Sequence, residues 1–244
     1  MLILHFDYKE HYKIDSKEFD YFEERFGATE HDERRLREYI VSEIELDFES
    51  VLDVGCGRAW IADYFLRKGK KVISLDISVT NPKKALEMYP SPNHFGLAAD
   101  SFKLPFNDKS FDLVIATEII EHVVDPKLFI NELFRTLKPG GILIISTPYK
   151  EILRYVLCIH CNQKTPINAH LHSFDEHKLK SLCEDSNLNK TEVKIFGNKL
   201  LIFLRTYIFL KYLPFKVWKG IDRFANLIYN KPIHIIVKYS KKSY

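Results

Sequence analysis

Short apolar runs alternate with amphipathic stretches through the middle of the chain, between residues 49 and 148. The apolar runs have the length of strands and are predicted at 51–54, 72–75, 95–99, 111–116 and 142–146. The stretches between them carry apolar residues at helical spacing and predict helices over 59–68, 82–88 and 127–137. Strands that alternate with helices form parallel sheets covered on both faces, so the sequence predicts an α/β fold.

The segments on either side of this alternation have a looser pattern. Residues 1–28 are polar and aromatic with weak periodicity, which predicts an arm containing a short helical piece. Thr29, followed three residues later by Asp32, is typical of a helix start, and the spacing after it predicts a helix to about residue 44. Beyond residue 148 we expect a Cys/His loop, a helix, a strand, an apolar and cationic stretch and a last strand, at 158–172, 175–186, 191–196, 199–229 and 233–239.

Composition indicates one globular domain with an appendage. The 244 residues are 46% hydrophobic and 28% charged, which excludes disordered and fibrous proteins. We divide the chain into an N-terminal arm with a cap helix (1–48), a core (49–148) and the C-terminal half of the same domain (149–244). Four cysteines do not make a disulfide scaffold, and the N-terminus lacks the pattern of a signal peptide, so we expect a reducing, cytoplasmic setting.

Charge is distributed unevenly along the chain. Residues 190–244 contain ten Lys and two Arg but only two acids, a net charge of +10, so the remainder carries −7 within the overall +3. This asymmetry indicates that the C-terminal part faces something anionic, such as a phosphorylated substrate, acidic lipid or nucleic acid. The alternative is that a lysine-rich surface simply keeps an aromatic-rich protein in solution.

The loop after the first predicted strand carries the most specific signal. Residues 51–59 read VLDVGCGRA, in which Gly55 and Gly57 allow a tight turn and close approach to a ligand. Asp76, at the end of the next strand, is placed to accept hydrogen bonds from a ribose diol. A nicotinamide dinucleotide fits poorly, because Trp60 occupies the position where that site needs a small residue. The pattern therefore favours another nucleoside.

With these residues the chain resembles the class I S-adenosylmethionine-dependent methyltransferases, and within them the small-molecule branch that includes the ubiquinone-type O-methyltransferases. The matching stretches run in family order and are 51–59, 72–76, 99–102, 104–106, 111–126 and 137–145. The resemblance implies a Rossmann-like sheet of seven strands whose last strand, 233–239, is antiparallel, and we expect a helical insertion between the final two strands. Ala59 departs mildly from the family pattern, which often has a third glycine there.

The resemblance also implies a binding site for S-adenosylmethionine. It assigns cofactor contacts to Asp53, Gly55, Gly57, Asp76, Ile77, Asp100, Ser101, Phe102 and Thr117. In this set Asp53 and the two glycines surround the methionine portion, and Asp76 holds the ribose hydroxyls. Asp100 accepts from the adenine amino group, although an aspartate before a loop also occurs simply as a turn former.

Three candidate catalytic residues, Glu118, Glu121 and His122, follow the fourth predicted strand at the edge where open sheets bind ligands. One helical turn would group them together. In the ubiquinone-type O-methyltransferases a Glu-x-x-Glu-His run binds a divalent cation that orients a catecholic acceptor, so the resemblance makes these residues candidate ligands for a cation such as Mg²⁺. His122 is also a candidate general base. Other methyltransferases carry the same Glu-His-Val string without metal, and there the histidine packs or positions substrate.

A second candidate metal site lies in the Cys/His loop. Cys158 and Cys161 have the spacing of zinc ligands, and His170 and His172 would complete a tetrahedral set. The alternative is a reduced loop in which one of the two histidines faces the acceptor pocket.

The basic and aromatic stretch 199–229 is open to three interpretations. Its apolar part is too short, and too interrupted by Arg205 and Lys211, to span a bilayer. It either packs on the sheet or on another subunit, or covers an apolar acceptor as a lid, or contacts a membrane peripherally so that the enzyme reaches a lipid-linked substrate.

The sequence favours methyl transfer to a small-molecule acceptor, such as the hydroxyl of a hydrophobic or lipid-linked compound. A nucleic-acid methyltransferase is the first alternative, supported by the basic C-terminal part. Against it, Thr117 and Glu118 follow the fourth strand in place of the Asn/Asp-Pro-Pro-aromatic run used on base amino groups. A non-catalytic cofactor-binding protein on the same fold is the second alternative.

Overall fold

A computed structural model describes residues 6–45 and 48–243. The strands are β1 (Ser50–Val54), β2 (Lys71–Asp76), β3 (His94–Ala98), β4 (Phe111–Thr117), β5 (Leu137–Pro148), β6 (Tyr155–Leu157), β7 (Lys164–Pro166), β8 (Leu188–Asn198) and β9 (Pro232–Lys241). The helices are α1 (Tyr8–Glu18), α2 (Gly27–Ser42), α3 (Trp60–Leu66), α4 (Thr80–Met88), α5 (Pro126–Arg135), α6 (Glu176–Leu182), α7 (Lys199–Phe203), α8 (Tyr207–Leu210) and α9 (Phe215–Ile228). The first five residues of the predicted N-terminal arm lie outside the described residues.

Seven strands form one sheet in the order β3-β2-β1-β4-β5-β9-β8, and β6 with β7 forms a separate hairpin. The strands from β1 to β5 run parallel, while β9 is antiparallel to both of its neighbours. Pro148 at the end of β5 pairs with His234, and Asn198 at the end of β8 pairs with Pro232. The carboxyl ends of the parallel strands and the connection between β8 and β9 therefore meet at one edge. The expected sheet with an antiparallel last strand is confirmed.

Apolar cores lie on both faces of the sheet because successive side chains of a strand point to opposite sides. In β1, Leu52 and Val54 pack in one core with the apolar face of α5, which buries Phe129 and Phe134 completely. Val51 packs in the other core, with residues of α2 and α3. Burial on both faces is what allows these strands to be read in the sequence as short, nearly continuous apolar runs.

The helix starts differ from the sequence prediction in two places. α2 begins at Gly27 without a side-chain cap, so Thr29 lies inside its first turn. α4 begins at Thr80, so Asn81, which precedes the predicted helix 82–88, is a helical residue with a buried side chain. β5 also begins earlier than expected, at Leu137, because Gly140 adopts a φ of 77° that lets the chain bend within the strand.

The insertion expected between the final two strands is present and consists of α7, α8 and α9. Among the described residues, none of the helices combines the length and apolar character required to cross a membrane.

Candidate active site

A cavity of about 180 Å³ opens at the carboxyl edge of the sheet. Its walls come from the loop after β1, the ends of β2 and β3, the turn after β4, and helix α1. Residues that the sequence assigned to the cofactor and that line the cavity are Gly55, Gly57, Asp76, Ile77, Ser101 and Phe102. Glu118 and His122 line it as well. The cavity thus joins six of the nine predicted cofactor residues to two of the three predicted catalytic residues, whereas Asp53 is not on its wall.

The glycine loop is held in left-handed backbone conformations. Gly55 has a φ of 68° and Gly57 a φ of 45°, which glycine adopts at little cost. The N–H groups of Gly55 and Cys56 both donate to the carbonyl of Leu75, at 2.8 and 2.9 Å, and so fix the loop on β2. Ala59 continues the left-handed run with a φ of 53°. Glycine would adopt this conformation at less cost than alanine does.

Asp76 ends β2 with its carboxylate held by the start of α4. One oxygen accepts from the backbone N–H of Ser78 at 3.1 Å, and the other accepts from the side-chain amide of Asn81 at 3.1 Å. Burial raises the pKa of Asp76, and these hydrogen bonds counter that effect in part. Asn81 was missed as a site residue in the sequence, where it reads only as a helix-start signal.

Three further residues assigned to the cofactor, Phe102, Asp100 and Thr117, differ in their surroundings. Phe102 lies on the cavity wall and makes an edge-to-face contact with Tyr8, with ring centroids 5.5 Å apart. Asp100 is held by α1 instead, because it accepts from Tyr8 at 2.8 Å and pairs with Lys9 at 2.6 Å. Burial alone would raise the pKa of Asp100, but Lys9, the N–H of Phe102 and Tyr8 outweigh it and lower that pKa. Thr117, which the sequence assigned to the cofactor, is not on the cavity wall.

The three predicted catalytic residues do not share a helical turn, which corrects the sequence prediction. Residue 118 has a φ of 54°, so the chain leaves β4 in a turn and not in a helix. Glu118 consequently accepts from Ser146 Oγ at 2.8 Å, whereas Glu121 is buried and accepts from Thr147 Oγ1 at 3.0 Å. Burial raises the pKa of both carboxyl groups, and for Glu121 the charge of Glu118 adds to the increase.

His122 is the titratable ring on the cavity wall. Burial, with a further contribution from the neighbouring His170, lowers the pKa of His122 to about 4. The ring is therefore neutral at pH 7. Its Nδ1 atom is buried and has no hydrogen-bond partner among residues 6–45 and 48–243, and the same holds for the hydroxyl of Tyr12. The rings of Tyr12 and His122 meet edge to face with centroids 5.9 Å apart.

Comparison with known proteins shows which family this chain belongs to. The family described as "Methyltransferase domain" matches residues 52–145. The ubiquinone biosynthesis O-methyltransferase of Rickettsia bellii (strain OSU 85-389) is 30% identical over 169 residues, which cover 64% of this chain and 70% of that protein. The chain belongs to the class I S-adenosylmethionine-dependent methyltransferases.

Other relatives match over shorter parts. A probable S-adenosylmethionine-dependent methyltransferase of Mycolicibacterium smegmatis is 32% identical over 55% of this chain and 49% of its own length. The chain likewise spans 53% of the mitochondrial ubiquinone biosynthesis O-methyltransferase of Dictyostelium discoideum, and thus about half the length of these two relatives.

Solved methyltransferase structures share the fold. An S-adenosylmethionine-dependent methyltransferase from Mesorhizobium loti superimposes with a TM-score of 0.62 at 16% identity, over 86% of this chain and all of that one. Phosphoethanolamine N-methyltransferase 2 of Haemonchus contortus, solved with S-adenosyl-L-methionine, gives a TM-score of 0.59 at 15% identity over 86% of this chain and 52% of that one.

The residues of this methyltransferase fit S-adenosylmethionine. Asp53 is 1% exposed, and its Oδ2 atom has no hydrogen-bond partner in the part of the chain that the structure describes. A buried carboxylate oxygen without a partner is costly unless a ligand satisfies it, and the ammonium of the methionine portion has the right charge to do so. Burial and the charge of Asp76 raise the pKa of Asp53 well above its usual range, which a neighbouring cation would reverse.

The zinc site expected in the methyltransferase's Cys/His loop is not formed by the predicted four residues. Cys158 and Cys161 lie beyond β6 in the hairpin turn, while backbone bonds from Leu171 and His172 to the carbonyl of Glu121 hold the histidine segment against the turn after β4. His170 bonds to Glu151, and His172 donates to the carbonyl of Val123 at 2.9 Å. The cysteine pair and the histidine pair therefore serve different parts of the structure.

A different set could hold a metal. In the described ranges, the cluster of three ligand side chains is Glu121, His122 and His170, whose ligand atoms lie within 4.8 Å of one another. Glu118, which the resemblance included, is absent from the cluster because it turns toward Ser146. Two imidazoles with one carboxylate suit zinc-like ions better than Mg²⁺, which prefers oxygen ligands.

Helix α1 contributes site residues that the sequence analysis missed. Tyr8, Tyr12, Asp15 and Ser16 all line the cavity. Their spacing of four, three and one residues along the chain places them on one face of a helix, which was the available signal. The hydroxyl of Tyr21, also on the wall, donates to Asp15 and ties the end of α1 to the following turn.

Proposed function

We propose that this protein transfers a methyl group from S-adenosylmethionine to an acidic hydroxyl, such as a phenol, on a small molecule with an apolar body. The observation that carries the proposal is the neutral imidazole of His122, with an unpartnered Nδ1 atom, on the same cavity as the glycine loop. The names of relatives such as the ubiquinone biosynthesis O-methyltransferases support an oxygen acceptor.

The cofactor, when bound, supplies an electrophilic methyl group on a sulfonium, and the protein supplies alignment and a proton acceptor. Gly55, Gly57 and Asp76 hold the donor at one end of the cavity. The apolar side chains of Ile119 and Val123, with the ring of Tyr12, line the walls beside His122. A hydroxyl held among them gives its proton to the imidazole as it accepts the methyl group. Alignment of the two reactants in a site that excludes water lowers the barrier to this transfer.

The low pKa of His122 bears on the class of hydroxyl. A base with a pKa of about 4 is unprotonated at pH 7 but is a weak proton acceptor. It therefore serves an acidic hydroxyl much better than an alkyl alcohol, since the pKa mismatch with a phenol, at about 10, is smaller.

The test is a labelled-methyl assay in which each acceptor class competes for the same enzyme. The panel contains an alkyl-substituted catechol, the matching alkyl alcohol, the matching amine and an RNA. Transfer to the catechol with none to the alcohol supports the proposal. Transfer confined to the amine or to RNA overturns it, as does tight binding of S-adenosylhomocysteine without transfer to any acceptor.

A further inference from the structure

The connection between β8 and β9, residues 199–231, forms a surface that we call the apolar appendage. It exposes large apolar and aromatic side chains that globular domains ordinarily bury. Six of them are at least 64% exposed, namely Phe203, Phe209, Tyr212, Phe224, Leu227 and Ile228. Five of them lie on three successive helices, and Tyr212 lies in the turn between α8 and α9, so exposed apolar side chains recur along the whole segment.

Helix α9 shows the arrangement most clearly because it is apolar on two sides. One side packs on the protein through Trp218, which is 4% exposed. Val217, Phe224 and Leu227 recur at helical spacing on another side, where they are 50%, 64% and 84% exposed. A surface helix of a globular protein normally turns polar residues to the solvent. The second apolar side therefore indicates an apolar environment outside the protein.

The charge of the apolar appendage specifies what kind of environment this is. Residues 199–231 contain seven Lys and Arg and one acid, Asp222. Asp222 is 2% exposed and accepts from the N–H of Gly197 at 3.0 Å, so it contributes no negative surface. Lys219 pairs with Glu43 at 3.7 Å. The exposed charge contributed by the appendage is therefore positive.

The position of the apolar appendage relates it to the active site. It leaves the sheet at Asn198 and returns at Pro232, which pair at the carboxyl edge. The N–H of Tyr149, just after β5, donates to the carbonyl of Ile233 at this edge. The cavity opens at the same edge of the sheet. An external apolar surface that binds the apolar appendage would therefore lie close to the opening of the cavity.

We infer that the apolar appendage binds the surface of an acidic phospholipid bilayer. Amphipathic helices with cations beside large apolar side chains lie in the membrane interface, where the side chains enter the acyl boundary and the cations face anionic headgroups. A second copy of the chain fits less well, because a two-fold interface would bring two sets of cations together. Nucleic acid would meet the cations but would leave aliphatic side chains such as Leu227 and Ile228 without partners.

The experiment is cosedimentation of the full chain with vesicles, and it requires neither an acceptor nor the proposed reaction. One set is phosphatidylcholine alone and the other contains about 30% phosphatidylglycerol, a charge that attracts basic segments. We expect binding to the acidic vesicles at least tenfold stronger than to the neutral ones. Raising the salt from about 0.1 M to about 0.5 M weakens that binding, because it screens the headgroup charge.

Variants separate the apolar and the electrostatic contributions. We expect the double variant F224Q/L227Q to bind acidic vesicles about tenfold more weakly, because two apolar side chains no longer enter the bilayer. Each of K211Q and K216Q weakens binding by about fivefold. The matched controls are L128Q on α5, where Leu128 is 50% exposed, and K180Q on α6. Retained binding of S-adenosylhomocysteine verifies that every variant is folded.

Three outcomes overturn the inference. One is equal binding to both vesicle types, or to neither. Another is a stable dimer in solution that F224Q/L227Q dissociates, which assigns the apolar appendage to a second copy. The third is binding to RNA that K211Q and K216Q abolish while vesicle binding stays unchanged.

Discussion

The two halves of the active-site cavity are built in different ways. The half proposed for the cofactor contains Gly55 and Gly57, which follow β1, and Asp76, which ends β2. The half proposed for the acceptor draws on helix α1 and the turn after β4, which supply Tyr12 and His122. The residues of the first half therefore lie in short, local stretches of sequence, whereas those of the second half come from segments that are distant in sequence and meet only in the fold.

The difference in construction implies a difference in function. The proposed cofactor half is built from backbone conformation and from a carboxylate fixed by local hydrogen bonds, those of Asp76 with Ser78 and Asn81. In the proposed acceptor half, His122 Nδ1 and the Tyr12 hydroxyl are buried and have no hydrogen-bond partners among the described residues. Changes in the first half should act on cofactor affinity, and changes in the second half on turnover.

The largest effect should come from Asp76→Ala. Loss of two charge-assisted hydrogen bonds to the ribose costs about 3 to 4 kcal/mol, or roughly a hundredfold to a thousandfold in the Kd for S-adenosylhomocysteine. Titration calorimetry measures it. The control is Glu87→Ala, an exposed carboxylate on α4, which should leave the Kd unchanged. If the Kd of Asp76→Ala for S-adenosylhomocysteine stays within about threefold of the wild-type value, the proposed role of Asp76 in cofactor binding is wrong.

The next largest effect should come from His122→Asn, and it should fall on turnover alone. Loss of a general base lowers kcat by about a hundredfold. The Kd for S-adenosylhomocysteine, measured in parallel, should stay within about twofold because that ligand lacks the transferred methyl group and the acceptor. His177→Asn, on the exposed side of α6, is the control. Equal losses of affinity and turnover in His122→Asn would show that the two halves are not separable.

A pair of glycine variants tests where the halves touch. A Cβ atom at Gly55 would lie 2.3 Å from the Cδ1 atom of Ile119, whereas one at Gly57 would meet nothing closer than 3.9 Å. Both variants carry the cost of a positive φ, but only Gly55→Ala must also displace Ile119. We expect Gly55→Ala to be less stable than Gly57→Ala by about 1 to 2 kcal/mol, seen as a Tm lower by several degrees. Equal Tm values would contradict the close approach.

The smallest effect concerns a proton on Asp53. Its pKa is raised in the free protein, and an ammonium beside it lowers that pKa, so binding releases a proton when the pH lies between the lowered and the raised value. Affinity for S-adenosylhomocysteine should therefore weaken as the pH falls through that range. Calorimetry in two buffers of different ionisation enthalpy measures up to about one proton released. Asp53→Asn should abolish this component, and its persistence would assign the proton to another group.

The sheet and the cofactor half were predictable from the sequence for a physical reason. Strands buried on both faces appear as apolar runs, and a glycine loop between strand and helix is local in sequence. The first strand, predicted at 51–54, spans Ser50–Val54 in the structure, and the antiparallel last strand is Pro232–Lys241. The resemblance to methyltransferases drew on these same local stretches.

The acceptor half was predictable only in part. His122 was identified from the sequence, but it does not share a helical turn with Glu118 as expected. Residue 118 adopts a positive φ, and no local sequence pattern predicts this conformation. The predicted zinc site of the two cysteines with His170 and His172 is not formed, because hydrogen bonds to the carbonyl of Glu121 hold the histidine segment away from the hairpin turn. Contacts between segments far apart in sequence decide both points, and a single sequence does not contain them.

The most direct test of the central claim is a crystal structure of the complex with S-adenosylhomocysteine. We expect the ribose diol on the Asp76 carboxylate, the ammonium on the free oxygen of Asp53, and the sulfur turned toward the part of the cavity lined by His122. A ligand bound outside the cavity, or one whose sulfur faces away from His122, would contradict it.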